Sequence, residues 1–433
     1  MAGSLGAGYR KLWSASALSN LADGVFQVAL PLMALRLTRS PGAIAGVAVA
    51  GRLPWLLFAL QAGALADRLD RRRTMLLVNI GRAVVIGILA ALVAADAASL
   101  PVLYLVALVL GFGETLFDTA AQSIMPALVE RDDLRKANGR LYAAELSMNH
   151  FVGPPLGGAL AGVAIALAFA GSAAAYACAA ILLALLVGSF RPARTGPPTR
   201  LRADIAEGAR FLFRHRLLRT LAVMVGVMNL VEIGVFAVLP LYAVGPGPLG
   251  LSEAGYGVLL TTSAVGSLAG SLLADRFERR VGRSRMLWIA VVGSGFPSIV
   301  MALSSSPWAV GAGWVFGGFT VIGWNVITVS LRQRIVPDHL LGRVNAGYRL
   351  VAWGTMPIGA ALGGLLAEVA GIRSVFWLAA AGHLVLLAFR RVITDEAMDA
   401  AEAEIRLQPR PDGGDLPPPT AVADRADPRG GDR

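Results

Sequence analysis

Lysine is almost missing from this chain of 433 residues. Of its 39 basic side chains only Lys11 and Lys136 are lysine, and neither is followed by Ser or Thr. No GxxxxGK[ST] phosphate loop can therefore form, which argues against an ATP-driven machine built on this chain alone. Cysteine is scarcer still, because Cys178 stands alone. That excludes an intramolecular disulfide and any cysteine-cluster metal site. The four histidines include no pair at metal-ligand spacing, and no cofactor is expected. Charge is sparse as well, at 15% of residues against roughly 25% in soluble proteins. A soluble domain would have to hide the 56% hydrophobic content in a core, whereas a mean hydropathy of +0.63 with 50 glycines suits helices surrounded by lipid. The formal net charge of +11 does not point to nucleic acid, since long apolar runs separate the charges.

A membrane-crossing helix needs about 20 mostly apolar residues. Twelve segments meet that length: 12–36, 42–66, 74–96, 101–125, 138–167, 170–190, 217–244, 253–275, 285–304, 307–331, 343–370 and 373–391. The first follows Arg10 and Lys11 and reads as a retained helix, not a cleaved signal. Alternate connections hold nearly all the basic residues, among them Arg68 and Arg71–Arg73, Arg131 to Lys136, the 191–219 stretch, and Arg276 to Arg285; the other set holds only Arg36, Arg39 and Arg373. Positive charge stays with the cytoplasm, so both termini are expected there. Within the linker, Ile205, Ala209 and Leu212 share a helical face opposite arginines, which predicts an interfacial helix. From Thr394 onward ten acidic and five basic residues accompany a PPP run, and a disordered tail is expected.

The chain also repeats itself. NLADGVFQVALPL at Asn20–Leu32 returns as NLVEIGVFAVLPL at Asn229–Leu241; Asp67 in GALADRLDRRR matches Asp275 in GSLLADRFERR; Pro126, Asn138, Gly157 and Gly158 match Pro337, Asn345, Gly363 and Gly364. The predicted fold is all-α and polytopic: a first six-helix half over 1–190, a linker over 191–216, a second half over 217–392 and the tail over 393–433. Parallel six-helix repeats are the architecture of alternating-access carriers, with the cargo near the midplane between halves.

These residues resemble the major facilitator superfamily from about Lys11 to Arg391. Gly63, Leu65, Ala66, Asp67, Arg68 and Arg71–Arg73 match its motif between the second and third helices. Asp70, where many members have Gly, is similar to the enterobactin-exporter-like and macrolide-efflux-like branch. Gly153, Pro154, Gly157 and Gly158 resemble the antiporter motif GxxxGPxxGG, with Asn149 in place of the first Gly. The resemblance implies the fold, alternating access, and a cytoplasmic latch formed by the charged turn. Asp67 is expected to cap a helix and pair across the half, with Arg68, Arg71, Asp275 and Arg276 in the same gate and Arg72 and Arg73 as topological anchors.

Ionisable groups inside spans are functional candidates because hydrocarbon penalises them when unpaired. Asp23 lies about 18 Å of helix beyond Lys11, near mid-membrane. Asn20, Asp23 and Gln27 share one face, and Asn229, Glu232 and Phe236 repeat it. Such carboxylates can load and release a proton as their surroundings change between dry and wet. Glu114 and Asp118, one turn apart, form a second candidate pair, which Arg52 or Arg82 can neutralise; Arg82 and Glu145 serve equally as fixed ion-pair members. Trp324, with Phe26, Phe117, Phe236, Trp314 and Trp353, can line an amphiphile-sized cavity or simply pack. His150, His383 and Cys178 are expected to pack, and the GxxxG pairs to form close seams with the Gly153 helix as a hinge. The expected activity is proton-driven export of a hydrophobic or amphiphilic small molecule by a monomer in the plasma or inner membrane. Uptake by the same architecture is the rival, and an intramembrane prenyl transferase using Glu114 and Asp118 a remote one.

Overall fold

The computed structural model describes residues 6–66, 69–188, 190 and 201–406. Its elements are helices throughout: α1 (Ala7–Leu37), α2 (Pro41–Ala66), α3 (Arg71–Ala94), α4 (Leu100–Ile124), α5 (Leu134–Leu146), α6 (Gly153–Val163), α7 (Ile165–Ala184), α8 (Leu201–Arg214), α9 (Arg216–Ala243), α10 (Glu253–Val281), α11 (Arg283–Leu303), α12 (Pro307–Ile335), α13 (Asp338–Gly354), α14 (Met356–Ala370), α15 (Ile372–Leu386) and α16 (Asp395–Arg406). Lipid cannot satisfy backbone polar groups, so apolar runs of this length close their hydrogen bonds internally. Pro31, Pro54, Pro240 and Pro297 are carried inside helices. Two sharp corners need glycine: Gly282 (φ 85°) joins α10 to α11 and Gly371 (φ 84°) joins α14 to α15, a left-handed conformation that side chains disfavour.

Eleven helical stretches among the described residues are long and apolar enough to cross a membrane. The expected fifth span, 138–167, is not one of them. There α5 is polar, Ser147–Val152 winds as a π-turn, α6 has 11 residues, and the chain reverses at the extended residue Ala164. Nothing polar or proline-like marks that reversal, so the apolar run hides it. The count of twelve thus rests on taking α5, the π-turn and α6 as one interrupted crossing. Its counterpart in the second half is also interrupted, at Thr355 between α13 and α14.

Helix packing follows the sequence repeat. In the first half α1 packs on α6 and α7, α2 on α4, and α3 on α4 and α7; in the second α9 packs on α14 and α15, α10 on α12, and α11 on α12 and α15. The halves meet through two equivalent crossings, α2 on α14 and α6 on α10. Around the loops at 38–40, 244–252 and 371 both halves share one hydrophobic core, which includes Leu35, Ile44, Tyr242, Tyr256 and Phe376. Toward the arginine-rich loops that core divides into one cluster around Leu12, Met75 and Phe117 and another around Leu221, Met286 and Trp324.

Two peripheral helices complete the fold. Helix α8 forms as expected, but it docks on α13 with Leu212 fully buried, and Gly208 sits against the Arg343 backbone; the side chain of Ile205 lies outside the described residues. The tail departs from the expected disorder at its start. Helix α16 buries Met398, and Arg283 pairs with both Asp399 and Glu402. Its acids find arginine partners on α11 and α12, which composition alone does not reveal. The remainder, 407–433, lies outside the described residues.

Candidate transport site

One face of α1 carries Ser16, Ser19, Asn20 and Asp23 against α3 and α7. Ser19 donates to Asn79 Oδ1 at 3.2 Å, and Asn20 donates to the Ser16 carbonyl of its own helix at 2.8 Å. Ser172 donates to the Ala22 carbonyl at 3.3 Å and ties α7 to α1. One turn further along α7, the Tyr176 hydroxyl donates to Asp23 Oδ1. Arg82 Nη1 lies 3.6 Å from the same oxygen. The guanidinium rests between the rings of Tyr176 (5.2 Å) and Phe117 (5.7 Å), where cation–π attraction replaces part of its lost hydration. Arg82 is 2% exposed and Asp23 is partly buried. Glu114 and Asp118 on α4 are also partly buried and act electrostatically on Arg82. Arg52, on α2, and Glu114 act on Asp23.

The second half is built differently. Asn229 donates to the Ala352 carbonyl at 2.6 Å. Glu232 is exposed, although α9 is flanked by α1, α2, α14 and α15, so it faces open space inside the bundle. No described arginine, lysine or histidine forms an ion pair with it. Gln27 on α1 is exposed in the same way, and Phe236 packs on Trp314 at 5.3 Å. Thus Asn20, Asp23 and Gln27 lie on one face of α1 but have different surroundings: Asn20 bonds to its own helix, Asp23 joins α3 and α7, and Gln27 is left open. Trp324 is 2% exposed within the core of the second half. Its bulk fills that core instead of lining an opening.

The expected gate is described only in part. Asp67 and Arg68 lie outside the described residues, as does the surrounding of Gly63. The start of α3 is capped by Asp70, whose carboxylate accepts from Arg73 N at 3.0 Å and Phe190 N at 2.9 Å. Asp70 immediately precedes the first helical residue, the position from which a side chain reaches the free N–H groups of the first turn. Arg71 carries a buried Nε without a hydrogen-bond partner, and Asp275 and Arg276 are exposed.

The glycine motif of α6 forms a two-sided seam. A Cβ on Gly153 would come within 2.6 Å of Gly24 Cα, one on Gly157 within 2.8 Å of the Val25 carbonyl, and one on Gly158 within 2.5 Å of the Glu253 carbonyl. Gly153 and Gly157 therefore admit α1, and Gly158 admits α10 of the other half; Pro154 completes this face against Gly257. The repeat does the same, with Gly363 on Gly234 and Gly364 on Ala45. Beside these seams, Arg36 donates to Glu253 at 2.7 Å and to the Ala161 carbonyl at 3.3 Å. Glu368 accepts from Ser40 Oγ at 2.9 Å and Gly42 N at 3.0 Å.

From sequence, neither Tyr176 nor Arg82 is named as a partner of Asp23; Arg82 is set against Glu114 and Asp118 of α4, or beside Glu145 of α5, as an ion-pair member, whereas the structure brings both Tyr176 and Arg82 to Asp23. The signals were present: Asn79 and Arg82 are the polar pair within an otherwise apolar third span, and Ser172 and Tyr176 lie one turn apart in an alanine-rich sixth.

Two related helical sets that meet around exposed polar groups on α1 and α9 define a multi-pass membrane transporter of small molecules. The chain belongs to the transmembrane secretion effector family of the major facilitator superfamily, which matches residues 6–412. It is 32% identical over 385 residues to the multidrug efflux pump Tap of Mycobacterium tuberculosis, covering 84% of this chain and 87% of that one. It is 28% identical over 394 residues to the enterobactin exporter EntS of Salmonella typhimurium, covering 88% and 91%. Among solved structures it resembles the nucleoside transporter NupG (TM-score 0.72, 14% identity, 90% of this chain and 99% of that one). It also resembles a bacterial homologue of the iron transporter ferroportin in an inward-facing state (TM-score 0.72, 16% identity, 93% and 100%). These two likenesses concern the fold. The family sets aside the intramembrane enzyme considered from sequence.

Proposed function

We propose that this protein exports a hydrophobic or amphiphilic small molecule, of the drug, antibiotic or siderophore class, in exchange for protons. It works as a monomer in the plasma or inner membrane, with both termini in the cytoplasm. The names of the Tap and EntS relatives support the direction and the cargo class. The observation that carries the coupling is Asp23, a carboxylate within a membrane helix held between a buried arginine and a buried tyrosine.

With the arginine-rich loops in the cytoplasm, the shared core closes the outer side and the divided core lies inward. Cargo enters from the cytoplasm or inner leaflet and occupies the space bordered by Gln27 and Glu232. Closing the inner side and opening the outer one requires the α2–α14 and α6–α10 seams to part. A proton taken up by Asp23 from outside cancels its charge, loosens its hold on Arg82 and favours the return; its release inside restores the pair.

Ethidium accumulation tests this reading in inside-out vesicles energised by a pH gradient. The wild type is expected to concentrate the dye, and a protonophore to abolish the effect. Asp23→Asn should reach the membrane at normal levels and lose concentrative transport. Full gradient-driven accumulation in the Asp23→Asn, Glu232→Gln double variant would remove both carboxylates from the coupling. A rise in dye within intact expressing cells, in place of a fall, would make the protein an importer.

A further inference from the structure

The charges gathered in the first half do not balance. Asp23 on α1, Glu114 and Asp118 on α4, and Glu145 on α5 interact electrostatically, facing Arg82 on α3 and Arg52 on α2. His150 in the π-turn faces Arg52, and Tyr176 on α7 closes the set. Full ionisation would set four carboxylates against two guanidiniums inside a membrane protein, where uncompensated charge is costly.

Arg82 is the unusual member. Its Nε, Nη1 and Nη2 are all buried without a hydrogen-bond partner. The 3.6 Å approach to Asp23 is an ion pair too long to be a hydrogen bond. A buried guanidinium ordinarily spends its five N–H donors on acceptors; this one lies between two rings with those donors free. Space has also been left for it on α4. A Cβ on Gly113, the residue before Glu114, would lie 2.9 Å from Arg82 Nε. Tyr176, meanwhile, occupies the very oxygen of Asp23 that Arg82 approaches.

We propose that Arg82 is a counterion shared between α1 and α4, and that Tyr176 is the positioning residue that holds Asp23 for the exchange. When Asp23 takes a proton from water, Arg82 leaves it for Glu114 and Asp118; when the proton leaves, Arg82 returns. Helix α1 touches α9 and α10 of the second half, whereas α4 packs on α1, α2 and α3. Moving the counterion off α1 therefore loosens the helix that communicates between halves, and the exchange takes place away from Glu232 and the cargo space. The inference rests on the proton-coupled reading, yet it is measurable without transport.

The test is infrared difference spectroscopy of the purified full-length protein between acidic and alkaline pH. Acidification of the wild type is expected to produce a protonated-carboxyl band that Asp23→Asn lacks. It should also shift a guanidinium band that Arg82→Lys lacks. Glu114→Gln with Asp118→Asn should abolish the guanidinium shift and keep the carboxyl band. Should that double variant fold poorly, Glu114→Gln alone and Asp118→Asn alone, each removing one of the two acceptors on α4, should each diminish the guanidinium shift and keep the carboxyl band. Tyr176→Phe keeps the ring, but it moves the carboxyl band to higher frequency and displaces its titration midpoint by about half a pH unit or more. A guanidinium shift that survives the α4 variants, or a Tyr176→Phe band unchanged in frequency and midpoint, overturns the proposal. Failure of ethidium transport with these spectra intact would instead sink the export reading and leave the exchange standing.

Discussion

Arg36 at the end of α1 and Glu253 at the start of α10 are paired at 2.7 Å across the two halves. At the equivalent crossing, Glu368 of α14 holds the first turn of α2 through Ser40 and Gly42. Both clamps lie on the side where the halves share one core. They are attachments that must break whenever that side opens.

Removing them should favour opening there. The Arg36–Glu253 pair is partly exposed and contributes about 1 kcal/mol at most, which corresponds to a population change of roughly fivefold. Glu253→Gln combined with Glu368→Gln is expected to raise the rate at which a cysteine introduced at Val244 reacts with an impermeant maleimide in intact cells. An unchanged rate would show that the shared core alone keeps this side closed.

Glycine at 158 sets how closely the halves approach. Its Cβ would meet the Glu253 carbonyl at 2.5 Å, a backbone contact that cannot turn aside. Gly158→Ala should therefore cost about 1–3 kcal/mol of the closed arrangement and reduce transport. Gly162→Ala, with nothing within 4 Å, serves as the control and should be neutral in both melting and transport assays.

Asp70 should matter for stability whether or not the protein is transporting. Its carboxylate caps α3 and receives Phe190 N, so Asp70→Ala is expected to destabilise the first half by about 1 kcal/mol or more. Thermal denaturation of the purified variant measures this. Asp70→Gly, which installs the residue common at this position in the resembled superfamily, should lose the same capping bonds.

Docking of α16 should depend on acid pH and on its arginine partners. The backbone N–H of Glu396 and, less strongly, the Thr394 hydroxyl hold the Glu396 carboxyl below its usual value. A depressed value stabilises the docked helix above the ordinary carboxylate range, and the contribution is lost as pH falls through the lowered value. Truncation after Thr394, or Glu402→Ala, should lower the melting temperature. The deficit of the Thr394 truncation should shrink in acid; a constant deficit would show that burial of Met398 dominates.

Much of the architecture is legible before any coordinates. Long apolar runs with interruptions, the phase of the arginine-rich connections, and the recurrence of Asn20–Leu32 at Asn229–Leu241 are properties of the chain read locally, and lipid as a solvent leaves helices as their favourable outcome. Asp23 and Glu232 stand out for the same reason, as charges in segments where charge is costly. The partners are another matter. That Asp23 meets Tyr176 and Arg82, that Glu232 stays open, that Asp70 takes the cap, and that α16 folds onto Arg283 all depend on how each helix is rotated about its axis and how near its neighbours come. Those rotations are decided by contacts between residues far apart in sequence, such as Gly153 on Gly24 and Gly158 on Glu253. A repeated sequence can therefore specify two similar frames while only tertiary packing makes one of them an ion cluster and leaves the other with a solitary carboxylate.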